Sequence, residues 1–331
     1  MNKSKKIIIA GGGGYIGSHA VARLKEFGWQ PVIVDNFSRG NHDIAERLGV
    51  EIFAGELSDE TFLDQIFSKE QYCAVMHFAA SSYVGESVTD PARYYRNNVG
   101  STLALLSAML RHNVDKLIFS STCATYGIPK ILPIDETTPQ SPVSPYGWSK
   151  LMIEQILRDY ASAYNLHFVA FRYFNAAGAL PEQKIGERHS PETHLIPLAI
   201  ASAYNGLELK VFGRDYPTDD GTCIRDYAHV IDIADAHRVG LEYLLSGGKS
   251  DFFNIGTGKG HSVQQVIDTV EQLSGRKVNF VNASRREGDP AELVADAGKI
   301  NSVLGWKPQY HKIEDIIQSA IDWHLADGFC N

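Results

Sequence analysis

The chain has 331 residues, of which 44% are hydrophobic and 21% charged, with a formal net charge of −8. Its length exceeds what one hydrophobic core usually supports, so two lobes or one enlarged domain are expected, and the acidic balance excludes a basic surface for nucleic acid or anionic membrane. Cys73, Cys123, Cys223 and Cys330 form no C-x-x-C pair and no run approaches roughly 18 apolar residues, which argues against a disulfide framework, a zinc site or a membrane span and suits a reducing cytoplasm.

Met1-Asn2-Lys3-Ser4-Lys5-Lys6 is basic, but Ile7 to Ala10 alone are too short for a signal-peptide core. That apolar run breaks into glycines and resumes as a helical pattern, so Lys6 to Ser18 reads as strand, tight turn and helix. Gly11, Gly14 and Gly17 have the spacing in which one glycine turns the chain, one admits a pyrophosphate and one lets helix and strand pack closely. The helix N-terminus, opening at Tyr15 and Ile16, then faces the anion. Pro31–Asp35 is a second buried strand, and it ends in an acid 18 residues past Gly17, near the offset expected of the carboxylate that holds an adenosine ribose. Asp35 argues for NAD over NADP, because a 2′-phosphate would meet its negative charge.

A polar loop follows, then a short strand at Val50–Phe53, a helix cap at Ser58-Asp59, and Phe62, Leu63, Ile66 and Phe67 at helical spacing. Ala74–Phe78 is the next strand, and its small-residue exit, Ala79-Ala80-Ser81-Ser82, leaves room for a ligand. Asp90-Pro91 opens a long helix to about His112, stopped by Asn113; Lys116–Phe119 is another strand, ending in Ser120-Ser121-Thr122. A second long helix runs from Ser144-Pro145 to Asn165, before a strand at His167–Phe171. Repeated βα units mean a parallel sheet covered on both faces, a doubly wound Rossmann-type α/β domain over residues 1–175. Residues 176–331 read as a smaller interleaved substrate lobe: helices near Leu195–Tyr204 and Ile231–Leu245, strands at Leu209–Phe212, Phe252–Ile255 and Val278–Val281, a capped helix from Ser262 and a last helix at Ile313–Ala326.

The second long helix begins Tyr146-Gly147-Trp148-Ser149-Lys150, which puts Tyr146 and Lys150 one turn apart on one face. A phenol is a poor base near its usual pKa of about 10, so it needs a neighbouring cation, and Lys150 supplies the charge. The hydroxyl of Thr122, at the sheet's carboxyl edge where ligands bind in open α/β folds, could relay a proton to Tyr146.

With these parts in place the chain resembles the extended short-chain dehydrogenases/reductases, and among them the UDP-glucose 4-epimerase family, over nearly its whole length. The residues that carry the resemblance are Gly11–Ser18, His77–Ala80, Val84–Ser87, Asn97–Val99, Ser120–Thr122, Tyr146–Lys150, Arg172–Asn175, Asp220–Thr222, Arg225–Tyr227 and Arg285-Arg286-Glu287-Gly288-Asp289. The resemblance implies Thr122, Tyr146 and Lys150 as the catalytic set. It implies Asp35, Asn36, Glu56, Leu57, Phe78, Ala79, Asn98, Lys150 and Tyr173 at an NAD site, and Asn175, Leu195, Phe212, Arg225, Arg286 and Asp289 around the UDP of a UDP-sugar. Two arginines suit a diphosphate and Asp289 suits ribose hydroxyls. Three positions depart from the family pattern: Ser82 replaces a lysine near the phosphates, Glu56 replaces a shorter Asp, and Leu293 stands where some relatives carry a tyrosine beside the sugar. The implied reaction is NAD-dependent inversion at C4 of a UDP-hexose through a 4-keto sugar. UDP-N-acetylhexosamines, UDP-pentoses and UDP-uronates are alternative substrates. Dehydratases and decarboxylases of this type carry an acid just after the Thr, where this chain has Cys123 and Ala124, and a non-catalytic NAD sensor would be expected to lose Tyr146 or Lys150. Family counterparts of the two long helices pair across a two-fold axis, so a homodimer is expected.

Overall fold

The structure, a computed structural model, describes residues 4–286 and 288–326; Met1, Asn2, Lys3, Glu287 and Cys330 of the sequence reading lie outside them. Strands and helices alternate from the start: β1 (Lys6–Ala10), α1 (Tyr15–Glu26), β2 (Gln30–Asp35), α2 (His42–Arg47), β3 (Ile52–Ala54), α3 (Glu60–Lys69) and β4 (Ala74–His77). Then come α4 (Val84–Thr89), α5 (Pro91–Tyr94), α6 (Ser101–Arg111), β5 (Lys116–Thr122), α7 (Pro145–Tyr164), β6 (His167–Tyr173), β7 (Asn175–Ala177) and α8 (Leu195–Asn205). The chain continues through β8 (Leu209–Phe212), β9 (Ile224–His229), α9 (Val230–Leu245), β10 (Asp251–Ile255), β11 (Gly260–Ser262), α10 (Val263–Ser274), β12 (Phe280–Ala283), β13 (Glu292–Leu293), α11 (Gly298–Leu304) and α12 (Ile313–Ala326).

The fold is α/β with a seven-stranded sheet in the order β10-β6-β5-β4-β1-β2-β3. Ile7, Ile8 and Ile9 are buried, as a strand covered by helices on both faces requires, and β1 pairs in parallel with both β2 and β4. The order reverses between β1 and β4, so the loops leaving their carboxyl ends splay apart and open a crevice there. A core of Leu63, Ile66, Leu105, Met109, Leu117, Phe119, Ile153 and Leu157, among others, packs α3, α6 and α7 on one face of this sheet.

Of the described residues, 4–127, 140–172 and 234–253 form one compact unit and 128–139, 173–233, 254–286 and 288–326 a second. The second unit contains β9 with β11 antiparallel on one side and β13 parallel on the other, β7 also pairing β9, together with the parallel pair β12-β8. Its core gathers Ile196, Ile200, Val266, Val270, Ile316 and Ile317 from α8, α10 and α12.

Three local differences from the sequence reading have physical causes. The expected helix from Pro91 to His112 is helical throughout but opens into a π-helical stretch at Tyr95–Gly100, where an inserted residue shifts the phase of the turns. The strand expected at Val278–Val281 forms two residues later, at Phe280–Ala283, set by its pairing with Leu209–Phe212. The polar loop after Asp35 contains the short helix α2. Helix α7 keeps its expected ends: Ser144 Oγ accepts from Gly147 N at 3.2 Å, Pro145 takes the first turn, and Asn165 closes the helix at φ 57°.

Candidate active site

The crevice at the switch point is built by four loops of the first unit. It is lined by Gly11 and Gly14 after β1, Asp35 at the end of β2 with Asn36, Ser38, Arg39 and Gly40 after it, Glu56 and Leu57 after β3, and Phe78 to Ser81 after β4. Gly11 has φ +82°, and a Cβ there would lie 2.5 Å from Ala79 N; a Cβ on Gly17 would lie 2.1 Å from Gly11 O. Only glycine lets these segments close, which leaves bare backbone facing the crevice. Gly14 caps α1 without any side-chain hydrogen bond, so the start of the helix, from Tyr15 to Gly17, presents its backbone N–H groups towards a phosphate.

Asp35 sits buried at the end of β2, where its two oxygens accept from Gly13 N (2.9 Å) and Phe37 N (2.8 Å). Burial pushes its carboxyl up, while those two N–H donors pull it back. Each oxygen keeps a further lone pair for a ribose hydroxyl. Asn36 Nδ2 donates to both oxygens of Glu56, each at 3.0 Å, which ties together two residues expected at the adenine end. Asn98 lies in the π-helical stretch, buried, where its Oδ1 accepts from Ser81 N (2.8 Å) and its Nδ2 donates to Ser81 O and Ser149 Oγ (both 3.0 Å). It thus holds the exit of β4 against α7. Glycine cradle, uncapped helix start and ribose acid together fit an adenine dinucleotide.

The chemistry-bearing residues stand at the carboxyl end of β5 and the start of α7. Burial pushes the Tyr146 phenol up to about 12, and the nearby Thr122 hydroxyl opposes the push. Burial brings Lys150 down to about 7 against the pull of the Glu154 carboxylate. Lys150 Nζ donates to Ser120 O at 2.7 Å and lies over the Phe119 ring at 4.8 Å, so in the bare protein its charge is spent on strand β5.

Glu154 is the residue that sequence reasoning missed. Its side chain is fully buried one turn after Lys150, and it accepts from Arg172 Nε (2.9 Å) and Nη2 (2.6 Å), Ser121 Oγ (2.6 Å) and Gln140 Nε2 (3.0 Å). Arg172 Nη1 donates in turn to Tyr126 Oη at 2.9 Å. Ser121 therefore ties the strand between Lys150's acceptor and Thr122 to a buried ion pair. Arg39 was missed too: it enters the crevice wall from the loop after Asp35, paired with Glu86 at 2.7 Å and stacked 4.5 Å over Tyr83. It is a cation in a region where Ser82 had left none expected.

Tyr173, at the end of β6, falls in the second unit, as do all the residues assigned to the nucleotide of a substrate. Arg225 and Leu293 share a register position on β9 and β13. Arg225 forms an ion pair with Asp289, and its guanidinium also donates to Ile224 O (2.7 Å) and Pro290 O (2.9 Å). Arg286 lies 4.0 Å over the Phe212 ring. Asn175 Nδ2 donates to Asp226 O at 3.0 Å, and Leu195 is the first residue of α8, packed on the second core. Arg225, Asp289 and Leu293 are thus one cluster and Arg286 with Phe212 another.

Residues 7–256 match the NAD dependent epimerase/dehydratase family. A UDP-glucose 4-epimerase of Rhizobium meliloti (strain 1021) is 49% identical over 323 residues, 97% of this chain and 98% of the relative. The crystal structure of UDP-glucose 4-epimerase from Brucella ovis in complex with NAD is 45% identical, with a TM-score of 0.92 over 95% of this chain and 96% of that one. The enzyme from Bifidobacterium longum in complex with NAD+ and UDP is 37% identical, with a TM-score of 0.93 over 98% and 100% of the two chains.

Proposed function

The chain belongs to the NAD dependent epimerase/dehydratase family, and we propose that Tyr146, Thr122 and Lys150 carry its reaction, the NAD-dependent epimerisation of UDP-glucose at C4. The enzyme is an isomerase. The observation that carries the residue assignment is that the Thr122 hydroxyl, at the carboxyl end of β5, faces Tyr146, with Lys150 anchored two residues earlier on Ser120.

Gly11–Gly17 would hold the pyrophosphate of NAD, Asp35 its adenosine ribose, and Asn36, Glu56 and Leu57 its adenine, with Phe78, Ala79, Asn98, Lys150 and Tyr173 assigned to the other half. When bound it supplies a reversible hydride acceptor. Tyr146, directly or through Thr122, takes the proton of the sugar's 4-hydroxyl as C4 is oxidised. The same proton returns when C4 is reduced on its opposite face, so configuration inverts and no net oxidation occurs. A phenol pushed up to about 12 stays protonated in the bare site, so the proton-taking step needs the phenolate to be stabilised, by the Thr122 hydroxyl and by a nearby cation. Between the two steps the keto sugar has to turn over while its nucleotide stays held. Arg225 and Arg286 hold the diphosphate: Arg225 spends Nη1 and Nη2 on protein acceptors and keeps Nε for a phosphate oxygen. Asp289 takes ribose hydroxyls, with Asn175, Leu195 and Phe212 around the uridine.

Elimination would need an acid beside Thr122, and the 3₁₀ turn there is Cys123-Ala124-Thr125. Leu293 favours a second reading of breadth, in which N-acetylhexosamine counterparts also enter. Incubating the purified protein with UDP-galactose and a panel of other UDP-sugars tests the assignment: conversion of UDP-galactose to UDP-glucose is expected, and inertness towards both hexoses overturns it.

The protein works as a homodimer in this reading. Leu103 on α6 and Trp148 and Met152 on α7 are 38%, 42% and 42% exposed, an apolar stripe on the helices expected to pair. Light scattering should give twice the chain mass. A place in galactose metabolism follows from the substrates. A cytoplasmic location fits Cys73, Cys123 and Cys223, none of them in a disulfide, and no described helix is long and apolar enough to cross a membrane.

A further inference from the structure

The loop between β7 and α8 brings Glu187, His189, Glu192 and His194 together, with one ligand-type atom from each all within 4.8 Å of one another. His189 Nδ1 lies 3.2 Å from Glu187 Oε1 and 3.5 Å from Glu192 Oε2; His194 Nδ1 touches Glu187 Oε1 and lies 3.7 Å from Glu192 Oε1. We propose that these four side chains bind one divalent transition-metal ion of the zinc class, as a four-coordinate site of two imidazole nitrogens and two carboxylate oxygens.

The separations carry the argument. Bonds of about 2.0–2.2 Å at tetrahedral angles place ligand atoms roughly 3.3–3.6 Å apart; three of the separations, 3.2, 3.5 and 3.7 Å, bracket that span, while His194 and Glu187 touch more closely and would part to admit the ion. Imidazole with carboxylate suits zinc and its neighbours, whereas magnesium and calcium prefer oxygen alone. Two carboxylates balance a dication, so the loaded site is neutral. Without the metal, the same charges balance when both histidines hold protons, and the ion takes the place of those protons.

The loop is also held in shape before it reaches the ligands. Trp323 Nε1 donates to Glu187 O at 2.9 Å, and a Cβ on Gly186 would lie 2.4 Å from the Trp323 ring, so α12 fixes the backbone at the first ligand. His194 occupies the cap position of α8, yet its ring makes no cap hydrogen bond there. Glu187 and Glu192 have side chains only 5% exposed and His194 is 51% exposed, which gives the ion a way in from solvent. Four protein ligands leave no position for substrate, so the site is structural: it clips residues 187–194 to the first turn of α8, where Leu195 begins.

The test uses the full chain with its NAD, stripped of metal by chelation and titrated with Zn²⁺ by calorimetry and with Co²⁺ by visible absorption. The expected result is one ion per chain, intense tetrahedral Co²⁺ bands, and a Zn²⁺-dependent rise in thermal midpoint. His189→Gln and Glu192→Gln should each weaken binding more than about tenfold, since even the outer hydrogen-bond partners of metal ligands contribute 10–100-fold. The two variants are independent, so either one that folds with normal NAD content suffices. Absence of saturable binding, weak octahedral Co²⁺ bands, or affinity unchanged in a folded variant overturns the proposal, the last by placing the ion elsewhere.

Discussion

Replacing Glu154 with Gln removes one charge from the buried pair beneath strand β5 while keeping the side chain's size. Arg172 then keeps its charge with a side chain only 2% exposed and loses the carboxylate that receives two of its N–H groups at 2.9 and 2.6 Å. At about 4 Å and an effective dielectric near 20 the lost attraction is about 4 kcal/mol. An amide also cannot accept from Ser121, Gln140 and both guanidinium nitrogens at once, so at least one buried donor goes unpaired at about 1–3 kcal/mol. Relaxation returns part of this, and measured losses for breaking one side of a buried pair are about 3–5 kcal/mol. Urea unfolding of wild type and Glu154→Gln at equal NAD should show a loss in that range, a large share of a stability of order 5–15 kcal/mol. Turnover should fall as well, because Ser121 stands between Ser120 and Thr122. The double replacement Glu154→Leu with Arg172→Met removes both charges and should recover much of the stability. A loss below about 1 kcal/mol in the single variant, or a double variant no better than the single, would refute the claim that the charge pair braces the strand.

Tyr146→Phe keeps the ring and removes the proton carrier, so turnover should drop by about 10² or more with unchanged unfolding; near-normal turnover moves the proton to another group. Wild type denatured after purification should release about one NAD per chain, and Gly17→Ala, whose Cβ would sit 2.1 Å from Gly11 O, should release little; retained NAD in that variant contradicts the cradle. Burial, with help from the Lys150 charge, pushes His77 down to about 3, so between about pH 6.5 and 3 the unfolded chain holds a proton that the folded one refuses, and stability falls as pH falls through that window. Its share is at most about 1.4 kcal/mol per pH unit, and a His77→Gln variant should show a correspondingly shallower acid limb; an identical limb excludes the effect. Leu293→Tyr should lower kcat/KM for UDP-N-acetylgalactosamine relative to UDP-galactose, and an unchanged ratio, or an N-acetyl substrate already inert in wild type, removes Leu293 from specificity.

The main sheet was legible because its strands are buried on both faces and so read as unbroken apolar runs between glycines and caps, as at Ile7–Ile9 and Lys116–Phe119. The short strands β7, β9, β11 and β13 were not. Ile224–His229 mixes charge and apolar residues and becomes a strand only because Leu293, Gly260 and Asn175 arrive from distant parts of the chain to pair with it or beside it. The π-helical turn was hidden for another reason, since one inserted residue scarcely disturbs a helical pattern of apolar residues. In the site, Tyr146, Lys150 and the glycines announce themselves by spacing. Glu154 does not, because a carboxylate in an apolar stripe has no meaning until Arg172, on a different element, is known to meet it. The same holds for Lys150, whose partner turned out to be the carbonyl of Ser120, and for the histidines and glutamates of residues 187–194, which a search for paired cysteines passes over.

The position of β10 in the sheet also has a consequence during synthesis on the ribosome. Strand β6 emerges with a hydrogen-bonding edge meant for β10, and the 77 residues from Phe174 to Ser250 must be made before that partner exists. At about 5–20 residues per second this lasts roughly 4–15 s. Throughout it the run Phe168-Val169-Ala170-Phe171, buried in the finished sheet, borders an open edge able to pair with another chain. Nascent chains arrested before Asp251 should therefore be caught by chaperones and cut by protease at β6, and chains long enough to deliver Ile255 clear of the ribosome should not.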